Sequence, residues 1–502
     1  MLTRAQSLGQ GVVESQIAKG FGFALSFFIT ILLTRWMGPE GYGSYSLILG
    51  WIGLASLIVS LGFLESLNKY IPVLLTQKVD IISFFTPLLS LRFTMALSLA
   101  LVVKLMATNL FDVLQHPEYI PLLDSLIILF LLYQAAVFLE SFFVSQLKIN
   151  IVFISTTFRQ LVVLGGLIGL FLLNKVSLGP VLGLMIIGYI VAIIIFLIGL
   201  HRTKKSKRKW ELQQLPVILK FSFSAWIVTG ITFLLSEQTD VLLLGFLTTS
   251  TREIGIYKAG TALVWKFIGV ITVSSQVVLS SLSFKYMNQG EKGLTQGWQS
   301  FTKLSIFSIV PLFVFLGWHA PTIIGILYGA DYSSSALVLR YFVILTGIPF
   351  GLMAGGLHLM ALYTLGYEKK GLSVRITSGL MNLVLGIVLI RSYAAIGAVI
   401  ATGLTAIVGT FMEFFLLQRS LKQPYPLQFA GKVLGSVMLS SIVFILFPIN
   451  SLGGLITVGF VYGVLILLLL VWWKPLTHED YLTITRLNSR LSIPATWFTV
   501  AT

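Results

Sequence analysis

The side chains that could do chemistry in this chain are charged groups lying inside long apolar runs. The basic ones are Lys19, Arg92, Lys104, Arg159, Lys220, Lys258, Lys266, Arg340 and Arg375; the acidic ones are Glu65, Asp124, Glu140, Glu237, Asp240 and Glu413. At the centre of a bilayer each charge costs at least about 2.5–3.5 kcal/mol, so each must face protein or water. Lys19, Lys220, Arg340 and Arg375 fall within a turn or two of a run's end, where the aliphatic stem can carry the charge back to the interface. Arg92 and Lys266 sit deeper, and either pair with a carboxylate such as Asp124 or Glu140 or hold an anion. Cations outnumber anions within the runs, a balance that suits an anionic cargo, and arginine grips phosphate with two parallel hydrogen bonds. Glu237 and Asp240, three residues apart, share one helix face. They are either a proton or sodium site coupled to transport or partners for Lys258 or Lys266.

Other chemistries find no support. There is no cysteine, which removes thiolate catalysis, thiolate metal sites and disulfides. His116 and Asp112 lie on an outer loop, His319 and His358 are far apart and lack any partner pattern, and no Gly-rich phosphate cradle, metal-ligand spacing or nucleophile elbow occurs. No catalytic residue, metal or cofactor is expected. Gly347, Gly351 and Gly355 make two linked small-xxx-small steps beside Pro349; they serve either close helix packing or a flexing gate.

The elements that position these groups follow from composition. Of 502 residues 56% are hydrophobic and 10% charged, with a mean hydropathy of +0.94. A soluble domain carries roughly a quarter charged residues, so a soluble enzyme, a disordered scaffold and a disulfide-stapled secreted protein are excluded. A spanning helix needs about 20 apolar residues. Fourteen segments meet that measure, at roughly 16–36, 43–67, 82–108, 119–145, 151–173, 179–200, 216–247, 256–284, 301–328, 336–364, 372–391, 396–418, 428–449 and 454–473. An even number places both termini on one side. Eighteen Lys and Arg fall in loops or tails on that side, against Lys175 and Arg252 on the other. By the excess of positive charge on cytoplasmic loops, both termini are expected in the cytoplasm. The net charge of +16 and the basic run 202–209 therefore read as topology rather than nucleic-acid binding.

The polar stretch 201–215 separates a first half, 1–200, from a second, 216–418, followed by two additional helices over 428–473 and a cytoplasmic tail, 474–502. Each half has a helix end, a polar turn and a Gly-x-Tyr: Gly43 to Tyr45, and Gly255 to Tyr257. That offset implies parallel repeats, hence two six-helix lobes around a central cavity working by alternating access. The expected fold class is an all-α integral membrane protein of about fourteen helices.

The chain resembles the polysaccharide-transporter (Wzx-type O-antigen and exopolysaccharide) flippases of the MOP superfamily. The resemblance is carried by Lys19, L-T-R-W-M-G-P-E-G-Y-G-S-Y at 33–45, L-G-F-L-E-S-L-N-K-Y-I at 61–71, S-A-W-I at 224–227, T-D-V-L-L-L-G-F at 239–246, E-I-G-I-Y-K-A at 253–259 and Y-G-A-D-Y at 328–332. It implies a flippase of the bacterial inner membrane moving an undecaprenyl-(pyro)phosphate-linked oligosaccharide from the cytoplasmic to the outer leaflet for cell-surface polysaccharide. Membrane lipids, and glycosyltransferases or a polymerase of the same pathway, would be its partners. It implies cavity cations that hold the lipid phosphate: Lys19, Arg35, Lys69, Lys258 and Lys266 by position, then Arg92 and Arg159. A MurJ-like lipid II flippase and a cation-coupled exporter of the same superfamily remain alternatives.

Overall fold

The computed structural model describes residues 2–203, 208–272, 275–353, 356–421, 425–447, 449 and 451–473. Side chains are described from residue 22 onward, apart from those at 212, 270–277 and 280. The chain divides into two compact units, Met1–Gly255 and Ile256–Thr502. The first holds α1 (Leu2–Ser60), α2 (Phe63–Thr76), α3 (Ile81–Leu105), α4 (Ala107–Val113), α5 (Leu123–Ser145), α6 (Ile149–Leu172), α7 (Leu178–His201), α8 (Leu215–Leu234) and α9 (Glu237–Thr248). Helix α10 (Thr251–Thr272) begins at its end. The second unit holds α11 (Ser275–Trp318), α12 (Ala320–Tyr328), α13 (Ser335–Phe342), α14 (Ile348–Leu352), α15 (Leu357–Thr364), α16 (Glu368–Leu421), α17 (Leu427–Ser440), α18 (Ile442–Leu446) and α19 (Leu452–Trp473).

The fold is all-α and the protein crosses the membrane many times. Among the described residues, eleven helical runs are long and apolar enough to span it, where the sequence reading expects fourteen segments. The difference has a local cause. Three helices run across parts of two expected segments, each broken by one residue outside the helical region: Gly38 in α1 (φ 69, ψ 175), Gly290 in α11 (φ 61, ψ −148) and Ala394 in α16 (φ 46, ψ −123). Pro39 follows Gly38, and proline is favoured at the first turn of a new helix. Conversely, the expected segment 216–247 splits into α8 and α9. The segment 336–364 splits into α13, a π-helical turn over Val343–Gly347, α14 and α15. Helix α10, rich in Gly, Thr and Lys, is not among the eleven.

Lipid tails are as apolar as a protein core, so helices hold together in a membrane by close packing rather than hydrophobic drive. In the first unit Phe63, Phe84, Phe85, Phe138, Phe142 and Phe196 interlock between α2, α3, α5 and α7. In the second, Trp298, Phe301, Leu362 and Leu417 join α11, α15 and α16. Leu172, Ile445 and Phe460 are exposed, as suits helices that face lipid.

The stretch 201–215 is more than a polar connector. Val79–Asp80 (β1) pairs in parallel with Arg208–Lys209 (β2), and the buried Trp210 ring lies edge-on to Phe84 at 5.2 Å. Its backbone N–H donates to Ser83 Oγ at 2.8 Å. The expected tail 474–502 lies outside the described residues.

Candidate functional site

The first unit places two of the expected cations around one tyrosine. Arg92, on α3, is 2% exposed. Its Nη2 donates to Gln134 Oε1 on α5 at 2.6 Å, and Gln134 Nε2 donates onward to Ser56 Oγ on α1 at 2.6 Å. The guanidinium carbon stands 5.4 Å from the Phe138 ring centre. Among the described residues, Arg92 Nε and Nη1 are buried without a hydrogen-bond partner. Arg159, on α6, lies over the Tyr189 ring of α7 at 4.9 Å, in a space left by Gly188, whose Cβ would stand 3.2 Å from Arg159 Cγ. Tyr133, on α5, meets Tyr189 edge to face at 5.8 Å and interacts electrostatically with Arg92, Arg159 and Glu140. Glu65 interacts with Arg92 in the same way.

Two pairings differ from those the sequence offers. Arg92 bonds to an amide rather than a carboxylate. Asp124 is taken by Lys104 at 2.8 Å, an exposed pair of the kind that contributes little. Glu140 interacts electrostatically with Arg159 instead.

Lys69 and Arg35 stand apart. Lys69, exposed at α2, holds its Nζ 3.7 Å over the Phe221 ring of α8. Arg35 is exposed beside the Gly38 break. The helix from Pro39 to Ser60 between them rises roughly 33 Å, a membrane thickness, so the two mark opposite ends of the unit. Lys19 lies in α1 outside the residues whose side chains are described. Lys258 and Lys266, half-buried on α10, are roughly 12 Å apart along the axis, and both are engaged by neighbouring groups.

Glu237 and Asp240 occupy the first turn of α9, where carboxylates complement the helix dipole; Asp240 is buried and both have partners. In the second unit, a Cβ on Gly347 would meet the Phe313 ring at 2.9 Å, and one on Gly351 would meet Ile309 and Val310. The missing side chains let α11 approach. Pro349 lies in α14 between them, after the π-helical turn; Gly355 lies outside the described residues.

Sequence reasoning passed over Ser56, Tyr133, Gln134 and Tyr189, which are uncharged. Tyr133–Gln134 stands as a polar step inside the apolar run of α5, and that interruption was the available signal. A cavity of about 300 Å³ in the first unit, lined by Ile48, Trp51, Ile52, Phe111 and Phe130 among others, holds no charged side chain and cannot serve a phosphate.

An all-α chain with many apolar helices and cations buried among them is built as a polytopic membrane protein. The chain is a member of the polysaccharide biosynthesis protein family, whose profile matches residues 8–287. It is 24% identical over 302 residues to the probable low-salt glycan biosynthesis flippase Agl15 of Haloferax volcanii, covering 58% of this chain and 61% of that relative's length. The fold is similar to that of lipid II flippase MurJ in an inward closed conformation, with a TM-score of 0.72, 18% identity, and coverage of 95% of this chain and 100% of that one. It is also similar to an inward-facing multidrug resistance MATE transporter of the MOP superfamily, with a TM-score of 0.60, 11% identity, and coverage of 80% and 94%.

Proposed function

We propose that this protein flips an undecaprenyl-(pyro)phosphate-linked oligosaccharide from the cytoplasmic to the outer leaflet of a bacterial inner membrane, by alternating access, with both termini in the cytoplasm. The observation that carries this reading is Arg92: a buried guanidinium with, among the described residues, two unpartnered nitrogens and an amide rather than a carboxylate bonded to the third. Glu65 acts on it electrostatically without a hydrogen bond; a buried guanidinium whose hydrogen bonds are unmet is expensive, and a phosphate head would supply the missing acceptors. Arg159 beside it, with Lys69 and Arg35 at the two ends of the first unit, gives an anionic head successive cations. Lys258 and Lys266 on α10, and Lys19, complete the set. Glu237 and Asp240 are the candidates for ion coupling, and Gly347, Pro349, Gly351 and Gly355 for a hinge. The names of the glycan relative and of MurJ support a lipid-linked glycan as cargo. The potential favours export of an anionic head by roughly 2.3 kcal/mol per charge per 100 mV.

The test is transbilayer movement of a fluorescent undecaprenyl-diphosphate oligosaccharide in liposomes holding the purified protein, with and without a potential negative on the cytoplasmic-equivalent side. Protein-dependent movement, faster with the potential, is expected. No movement across several sugar heads, from folded protein, overturns the reading. Loss of transport of small amphiphilic cations on Glu237→Gln or Asp240→Asn would then point to an exporter.

A further inference from the structure

The cavity in the first unit that cannot serve a phosphate suits a different occupant. Its walls come from α1, α3, α4 and α5, and among the lining residues only Trp51 carries a polar side-chain atom. Water needs two or more polar partners to stay in such a space, so the volume of about 300 Å³ is suited to hydrocarbon. The cavity is open, because Leu54 and Ile58 in its wall are 39% and 47% exposed. Along α1 the lining runs from Ile48 to Ile58, a rise of roughly 15 Å and about half the thickness of the hydrocarbon core. Two charges stand at its rim. Val103 and Leu123 line the cavity, and the residues that follow them, Lys104 and Asp124, meet at 2.8 Å with side chains 58% and 76% exposed. Lys104 is one residue from the end of α3, roughly 35 Å along the axis from Ile81, so the pair stands at headgroup level. An exposed pair of this kind holds little energy and can exchange partners.

We infer that this cavity seats one acyl chain of a phospholipid whose headgroup carries a phosphate and a primary ammonium, with the phosphate on Lys104 and the ammonium on Asp124. The apolar lining selects the chain, and charge complementarity selects the headgroup. A zwitterion brings each rim charge its opposite. The anionic headgroup of phosphatidylglycerol satisfies Lys104 but offers Asp124 no positive charge. A choline ammonium has no N–H to donate to the carboxylate, whereas a primary ammonium has three. Leu110 and Phe111 of α4 also line the cavity, so the seated chain touches α1, α3, α4 and α5 together. This inference is independent of the cargo: it concerns a lipid of the surrounding bilayer.

The test places the full-length protein in bilayers doped with phosphatidylethanolamine or phosphatidylglycerol bearing a photoactivatable diazirine midway along one acyl chain, and maps the labelled residues by mass spectrometry. Labelling of Trp51, Phe111 and Phe130, which line the cavity, is read against labelling of Ile456 and Phe460, exposed on α19. Phosphatidylethanolamine should label the lining residues about three- to fivefold more than phosphatidylglycerol, the range of one exposed ion pair, while α19 takes both lipids equally. Asp124→Asn should bring that ratio to about one, and Lys104→Gln should lower labelling by both lipids. Lining residues labelled no more than α19, equal labelling by the two lipids in the parent, or a preference that survives Asp124→Asn overturns the proposal. Labelling of the cavity by a polyprenyl-phosphate analogue alone also overturns it, and would make the cavity a site for the cargo's tail. If Asp124→Asn fails to give monodisperse protein, competition on the parent decides: unlabelled phosphatidylethanolamine should displace the label and phosphatidylglycerol should not, and equal displacement overturns the proposal.

Discussion

Gly43 and Gly255 close on each other backbone to backbone. A Cβ on Gly43 would overlap the Thr251 carbonyl oxygen and stand 2.9 Å from Gly255 N, and a Cβ on Gly255 would overlap the Pro39 carbonyl. The two glycines that the sequence sets in register are thus in mutual contact. Neither neighbour is a flexible side chain, so nothing cheap can yield. Gly43→Ala and Gly255→Ala should each lower the thermal unfolding midpoint in detergent, at a cost of about 1–3 kcal/mol. Gly165→Ala on α6 is the control: a Cβ there meets nothing within 4 Å, and alanine should hold or raise the midpoint, by up to about 1 kcal/mol.

The glycine pair shows what the sequence could express. Turn residues, apolar runs and charge asymmetry act locally, and they mark an all-α membrane chain and most of its helix ends. The breaks inside runs were harder to read. Ala394 takes a positive φ with no glycine or proline to announce it, whereas the change from α8 to α9 at Leu235–Ser236 coincides with the polar run S-E-Q-T-D at 236–240. The site was legible only in its charges. Arg92 and Arg159 could be named because a charge in a membrane run is costly, but their neighbours Tyr133, Gln134 and Tyr189 cost less to bury and give a weaker signal. Which cation meets which neighbour depends on helix rotation, and this is why Asp124 was offered as a partner for Arg92 when Lys104 holds it.

Arg92 separates stability from transport. Replacing a buried charge and its partner by apolar residues is often neutral or stabilising, so the double variant Arg92→Met with Gln134→Leu should fold with an unchanged or higher melting temperature. Flipping by that variant in liposomes should fall about tenfold or more, the worth of one charge-assisted hydrogen bond at about 1.5–3 kcal/mol. Full activity would make Arg92 a packing residue and remove the main support for an anionic cargo.

Trp210 anchors the connector between the first seven helices and α8. Its indole is buried, its N–H bonds Gln214 at 3.1 Å, and its backbone bonds Ser83. Trp210→Ala removes packing worth about 3–5 kcal/mol and should free the β1–β2 pair. Trypsin should then cut after Lys209 at least tenfold faster than in the parent, read as the corresponding fragments by mass spectrometry. An unchanged rate at that bond would mean that the paired backbone, not the indole, holds the segment.

Tyr425 supplies a last measurement with a defined sign. Its hydroxyl donates to the Leu352 carbonyl at the end of α14, and burial pushes the phenol up to about 12. An unfolded chain releases the same proton near pH 10. Between these values the folded state holds a proton that the unfolded state has lost, so folding stability must fall as pH rises from about 10 to about 12. Below pH 10 the hydrogen bond contributes about 1 kcal/mol. Tyr425→Phe should lower the neutral-pH stability by that amount, read as a lower melting temperature, and flatten the alkaline slope; a variant that melts like the parent at neutral pH and keeps the slope would show that the Leu352 carbonyl is satisfied without the phenol.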